Sequence, residues 1–277
     1  MKEIFINFND DCNKYARGKT AIIGASRGMT GAVCLASKSA SKSGCGLVCA
    51  VVPEELNDIF EIKLTEEMTS ILNSERGSFK GDDIDKLYGI LEKCNSVATG
   101  MGAGKEKGYK KILKWLLREY TGKLILDADA LNIIAERPYY LREGVVLTPH
   151  TGEFARLTGK EVEEIEKNRE KIAKSYAKNN SLILVLKGKN TIVTDGEKMY
   201  INKTGNKGMA KGGSGDVLSG VIASLCAQGM DSFDAAVCGV YLHGLAGDIA
   251  CKKYTDMAMT ASDIIKHIPD AFKEILK

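Results

Sequence analysis

The chain has little of what marks a secreted, fibrous or membrane protein. Four prolines in 277 residues leave no proline-rich linker or polyproline segment. None of the eight cysteines forms a Cys-x-x-Cys pair, which removes the common zinc and dithiol redox patterns. Cys45 and Cys49 fall on one expected strand, where four residues span about 13 Å, too far to share a metal. The cysteines are therefore expected to be free, mostly buried thiols of a reducing compartment. The N-terminal MKEIFINFNDD is acidic and lacks the apolar run of a signal peptide. No apolar stretch approaches the roughly 18 residues of a membrane helix. Net charge is scarce too: 39 basic against 36 acidic residues gives +3, too little to indicate nucleic acid or an anionic membrane as partner. A soluble, cytoplasmic protein is the expectation. Hydrophobic residues at 44% suffice for a sizeable core.

Glycine is in excess, with 29 residues. With so little proline, these glycines point to tight turns and to loops where backbone approaches a ligand. Apolar, β-branched runs recur at 20–24, 46–53, 96–100, 123–128, 145–149 and 182–188. Most are apolar on both faces, as buried parallel strands are. Helical patterns lie between them at 30–43 and 108–120. Another begins at Val162, with a stripe through Ile165, Ile172, Ala173 and Tyr176. NTIVTDG and KMYIN around Asp195-Gly196 predict a hairpin. Helices are expected at about 214–228, 231–253 and 261–275. The alternation predicts an α/β fold with a central, mostly parallel sheet. No linker or internal repeat divides it, so residues 1–277 are expected to form one domain. Helix 231–253 is small or apolar nearly all round, which implies burial against the sheet or against a neighbouring subunit.

Three glycine-rich segments compete for the chemistry. Residues 22–31, IIGASRGMTG, have the look of a short-chain dehydrogenase loop. That chemistry needs a Tyr-x-x-x-Lys pair downstream, and the one such pair, Tyr15 and Lys19, precedes the loop. GMGAGK at 100–105 ends in Gly-Lys, but Glu106 replaces the Ser or Thr of a P-loop. Residues 205–220, GNKGMAKGGSGDVLSG, are more specific. Gly213, Ser214 and Gly215 bring flexible backbone to a helix start, where N–H groups and the helix dipole can hold a phosphoryl group. Asp216 is placed to take a proton from an attacking hydroxyl; its alternative role is a plain helix cap. DADALN at 127–132, LTPHTGE at 147–153 and KGKNT at 187–191 each follow a strand. The carboxyl ends of strands are where open α/β sheets bind ligands.

Together GMAKGGSGDVLSG, LTPHTGEFARL, DADALN and LKGKNT resemble the NAD(P)H-hydrate dehydratases of the ribokinase-like superfamily. The resemblance extends over nearly the whole chain. It implies a three-layer α/β/α fold and a repair reaction on NADHX and NADPHX, the hydrated forms of NADH and NADPH. The S-epimer is phosphorylated at its C6 hydroxyl, and phosphate is then eliminated. ADP is the implied donor, giving AMP and phosphate, with ATP the alternative. The resemblance makes Asp216 the general base and Gly213, Ser214 and Gly215 the anion hole. Ala32, Gly102, His150 and Asp216 match positions that contact the hydrated dinucleotide. Lys187, Gly188, Lys189, Asn190 and Thr191, with Gly215, match the nucleotide-binding loop. Glu153 resembles a residue organising Mg²⁺ through water, with Asp127 as a second helper, and a homotetramer is implied. His243 and His267 are left as structural. Met101, Ala103, Thr151 and Lys211 depart from the family pattern, and Lys211 could pair with a phosphate oxygen. Two other readings stay open: a vitamin kinase of the hydroxyethylthiazole or hydroxymethylpyrimidine type, and a non-catalytic nucleotide sensor. The intact Asp216 argues against the sensor.

Overall fold

The computed structural model describes residues 2–5, 11–136, 139 and 141–277, so residues 6–10 of the acidic N-terminal stretch lie outside the described residues. In chain order the first elements are β1 (Lys19–Ile23), α1 (Thr30–Lys42), β2 (Leu47–Pro53), α2 (Asn57–Lys63), β3 (Met68–Leu72), β4 (Ser74–Glu75), β5 (Ser78–Phe79) and α3 (Ile84–Leu91). The middle of the chain forms β6 (Ser96–Thr99), α4 (Lys107–Glu119), β7 (Lys123–Leu126), α5 (Ala128–Glu136), β8 (Val146–Leu147), α6 (Thr151–Thr158), α7 (Val162–Lys167) and α8 (Arg169–Asn180). It ends with β9 (Ile183–Leu186), β10 (Ile192–Thr194), β11 (Met199–Ile201), α9 (Ser214–Ala227), α10 (Ser232–Ala258) and α11 (Ala261–Leu276).

Among the described residues one sheet of nine strands runs β11-β10-β9-β8-β7-β6-β1-β2-β3. Every pairing from β9 to β3 is parallel, and β10 lies antiparallel between β9 and β11. Strand residues alternate between two cores, as a period of two requires. Ile22, Ala50, Ala98, Ile125, Val146 and Val185 face Val33 of α1, Val221 of α9, Val240 of α10 and Ile264 of α11. Ala21, Val51, Val97, Leu126, Leu147 and Leu184 face Leu87 of α3, Leu113 of α4, Phe154 of α6 and Ala173 of α8. Covered on both faces, the strands must be apolar throughout, which is why their sequences run without alternation. The three-layer α/β/α arrangement expected from the sequence is present.

Several boundaries differ from expectation. The stripe from Val162 breaks at Asn168, whose φ of −132° and ψ of 31° separate α7 from α8. Val162 itself is exposed. Helix α10 runs five residues past its expected end, through non-helical Thr255 (φ 65°, ψ 163°). Its apolar surface packs within the chain, against α9 and α11. Cys45 precedes β2 rather than lying on a strand, and all eight thiols are free. Among the described residues no helix is long and apolar enough to cross a membrane.

The contact that places the functional loops is α1 against α9. A Cβ on Gly220 would lie 2.0 Å from the backbone oxygen of Ala36. Ser39 locks the same approach, its Oγ donating to Val217 O at 2.9 Å. Gly220→Ala should therefore force the helices apart and destabilise the fold by about 1–3 kcal/mol, readable as a lower urea midpoint.

Candidate active site

Loops after β1, β6, β7, β8 and β9 leave the same, carboxyl, edge of the sheet. At the end of β7 the backbone turns sharply. Gly100 (φ 115°) packs so closely that a Cβ there would meet Asp127 O at 1.9 Å, and Ala128 takes a positive φ of 48°. This turn brings the Asp127 carboxylate, 2% exposed, over the sheet edge. Its Oδ1 accepts from Lys187 Nζ at 2.8 Å and its Oδ2 from Ser219 Oγ, one turn into α9, at 2.7 Å. Lys187 Nζ also stands 4.0 Å from Glu153 Oε2. Backbone fixes this lysine. Its N–H donates to Pro149 O at 2.8 Å, and Arg169 donates to the carbonyls of Leu186 and Lys187 at 3.2 and 3.3 Å.

Helix α9 begins beside that cation. Its N-cap is Gly213 (φ 93°), and no side chain caps it. Asp216 is the third helical residue, so the plain capping role is removed. A Cβ on Gly213 would lie 2.6 Å from Leu35 Cδ1 of α1, and one on Gly215 would lie 3.3 Å from Lys187 Nζ. The Ser214 N–H is engaged by Lys211 O at 3.3 Å. Gly213 and Gly215 are therefore better placed than Ser214 to offer backbone N–H groups to an anion. The Ser214 hydroxyl lies 3.5 Å from Nε2 of His243, which burial holds at a pKa of about 4, so that histidine is neutral.

Charge around Lys187 is unbalanced. Burial raises Asp216 to a pKa of about 7, the negative charge of Asp127 adds to this, and Lys187 opposes it. Burial also lifts Glu153, against the pull of Lys187. Burial alone would lower the Lys187 pKa, but Asp127, Glu153 and Asp216 outweigh it and the net direction is upward.

His150 is the N-cap of α6. Its Nδ1 accepts from the N–H groups of Gly152 and Glu153 at 3.0 and 3.2 Å, and Glu153 Oε2 accepts from the His150 N–H at 2.8 Å, a reciprocal capping box. The ring stays exposed, so it caps the helix and faces the site at once. Thr151 Oγ1 donates to Glu166 at 2.6 Å and accepts from Arg169 at 3.1 Å, tying α6 to α7 and α8. Gly102 packs against Met29 and Ala32 of α1, and Ser26 Oγ donates to its carbonyl at 2.9 Å. Residues 188–190 are exposed, and Thr191 Oγ1 folds their turn back onto Gly188 O at 3.0 Å.

Two expectations shift. Lys211 Nζ donates to Met257 O and Met259 O at 2.6 and 2.7 Å, so it engages the end of α10 instead of an anion. Asp127 has both oxygens in use, and among the described residues no group of three or more His, Cys, Asp or Glu could hold an ion. Glu153 has one oxygen on the His150 N–H, while the other meets His150 Nε2 at 3.5 Å. That donor set fits Mg²⁺ held through water and phosphate oxygens, not a cage of protein ligands. Sequence reasoning missed Ser219 and Arg169. Ser219 could have been found, since three residues after Asp216 on a helix is the same face. Arg169, distant in sequence and bonded to main chain, left no pattern. His267 pairs with Asp270 at 2.9 Å, as a structural residue would.

The chain is similar to known proteins. Residues 20–270 match the profile of the NAD(P)H-hydrate dehydratase family. The chain is 40% identical over 264 residues to a bifunctional NAD(P)H-hydrate repair enzyme of Moorella thermoacetica, covering 93% of this chain and 50% of that protein. It therefore spans about half the length of the bifunctional relatives it matches. An ADP-dependent (S)-NAD(P)H-hydrate dehydratase of Neisseria meningitidis is 36% identical over 247 residues, 87% of this chain and 79% of that one. The crystal structure of an ADP/ATP-dependent NAD(P)H-hydrate dehydratase from Bacillus subtilis, crystallised with ATP and Mg²⁺, superposes with a TM-score of 0.85 at 28% identity, covering 99% of this chain and 95% of that one. With more than nine-tenths of its length matched and the glycine loop, Asp216 and Lys187 gathered at one sheet edge, the chain belongs to the NAD(P)H-hydrate dehydratase family.

Proposed function

We propose that the protein dehydrates the S-epimer of hydrated NADH and NADPH, using ADP and giving AMP and phosphate. The observation that carries this reading is the placement of Asp216 in the first turn of α9, directly after the glycine loop, with Asp127 and Lys187 as its charged neighbours. Asp216 takes the proton of the C6 hydroxyl as its oxygen attacks the terminal phosphoryl of ADP. The bond to the bridging oxygen breaks, and AMP leaves. The C6–O bond then breaks with phosphate as leaving group, and a ring proton is lost to restore the dihydronicotinamide. Gly213 and Gly215 hold the phosphoryl oxygens during transfer. Lys187 adds positive charge, and the 187–191 turn holds the rest of the nucleotide. His150, Ala32 and Gly102 position the hydrated ring. Mg²⁺, where bound with the nucleotide through Glu153, would neutralise phosphate charge. A homotetramer and a cytoplasmic location belong to the same proposal.

The direct test uses purified hydrated NADH and NADPH with ADP and with ATP, following absorbance at 340 nm. Return of the signal with a nucleotide is the expected result. No return with either, together with stable phosphorylation of a thiazole or pyrimidine alcohol, would transfer the protein to the vitamin kinases.

Asp216→Asn keeps the shape but cannot accept the proton, so kcat should fall roughly 10²-fold or more, with little change in AMP affinity. Near-normal turnover in that variant would remove the general base. The same carboxyl sets the pH dependence. In the free enzyme kcat/KM should rise with pH through about 7, as Asp216 loses its proton. In Lys187→Gln that limb should move upward, because the charge opposing the shift is gone.

Stability runs the other way. A carboxyl whose folded pKa is raised contributes stability that is complete below its unfolded pKa of about 4 and lost as pH rises through about 7. Asp216→Asn should therefore melt higher than wild type at pH 8, by up to about 4 kcal/mol of stability. The gap should close near pH 4. A lower melting point at pH 8 would mean that the charged carboxylate is a favourable part of the apo fold.

A further inference from the structure

A cleft of ≈ 500 Å³, lined by Lys105, Asn132, Ala135, Glu136 and Arg156, opens beside the loop that follows β6. None of these residues has a part in the reaction as described. Lys105 directly follows Gly104, whose N–H donates to Asp129 Oδ2 at 2.9 Å, and Asn132 lies one turn after Asp129 on α5. Arg156 stands on the face of α6 that carries His150 and Glu153, three residues apart each time. The cleft is thus built on the same two elements, the loop after β6 and helix α6, that carry Gly102 and His150, the residues assigned to the hydrated ring.

Its charge is positive. Lys105 and Lys110 share one carboxylate, Glu136, at 3.8 and 2.7 Å. Arg156 Nε donates to a neutral amide, Asn132 Oδ1, at 2.9 Å. That bond orients the guanidinium without neutralising it, a geometry suited to forked binding of a phosphate. The dinucleotide needs such a place. When its nicotinamide ring reaches Asp216 and the donor nucleotide occupies the 187–191 side, its adenosine half must leave across the loop after β6.

We propose that this cleft is the subsite for a phosphate of the substrate's adenosine half, held by Lys105 and the Asn132-oriented Arg156. The proposal rests on the reading of the substrate as a hydrated nicotinamide dinucleotide.

The test measures binding of NADPH and of NADH to wild type and to Lys105→Gln/Arg156→Gln, with ADP affinity and melting temperature as controls. Both side chains are exposed, so the fold should survive. A loss of roughly 10-fold or more confined to NADPH identifies the 2′-phosphate as occupant, and a parallel loss for both dinucleotides identifies the pyrophosphate. Lys105→Arg should retain wild-type affinity. Unchanged affinity for both in the double variant overturns the subsite, as does a loss of ADP affinity in their place. So does a wild type that binds neither dinucleotide. Turnover of the hydrates is scored separately. Its absence with every donor would sink the dehydratase reading, whatever the binding result.

Discussion

One half-buried ammonium group holds the carboxyl edge of this sheet together. Lys187 reaches from the end of β9 across to Asp127 on β7, and lies near Glu153 at the start of α6 and Asp216 on α9. Three carboxylates drawn from three strand–helix connections depend on a single cation. Removing that cation would leave its carboxylates unpaired, a loss that for a buried pair generally costs about 3–5 kcal/mol, whereas neutralising Asp216 relieves the crowding of negative charge. The imbalance also has a chemical result. With one positive charge for three negative ones, one acid has to be weak, and burial makes Asp216 that acid.

The geometry behind this cluster comes from close backbone packing. Gly220 lets α9 lie against Ala36 of α1, which presses Leu35 to within reach of Gly213. Gly100 lets the β6 loop pass over Asp127, which turns that side chain toward Lys187. Neither glycine needs to touch a ligand. Each sets how near two elements come, and the glycine loop at Gly213 and the carboxylate cluster inherit their spacing from those approaches.

Much of this was legible in the sequence, and the parts that were not share a cause. Uninterrupted apolar strands and intervening helical stripes defined the parallel sheet. The edge was harder to read. Strand β3, MTSIL, is mostly half-buried and carries an exposed Met68, so it lacks the continuous apolar run of the strands inside. The short α2 and α3 also carried too few periods to register. At the site, the glycine loop, Asp216, His150 and Lys187 announced themselves by motif. The pairings did not: Lys187 with Asp127 is 60 positions apart, and Ser219 with Asp127 is 92. No local pattern encodes such contacts; they follow from the order of strands in the sheet.

Lys211 illustrates how a motif can mislead about charge. Beside the phosphoryl loop, a lysine reads as a phosphate ligand. Here its ammonium instead satisfies two carbonyls at the end of α10, a position the helix dipole favours for a cation. That end needs a partner, because Thr255 departs from helical geometry at a φ of 65° and leaves carbonyls without their usual donors. Lys207 reinforces the same junction through Asp256 at 2.7 Å. The loop leading into Gly213 is thus fastened to α10 by its own lysines. Under the proposed function, positive charge for a phosphoryl group then falls to the start of α9 and to Lys187, the cation on which the carboxylates already depend.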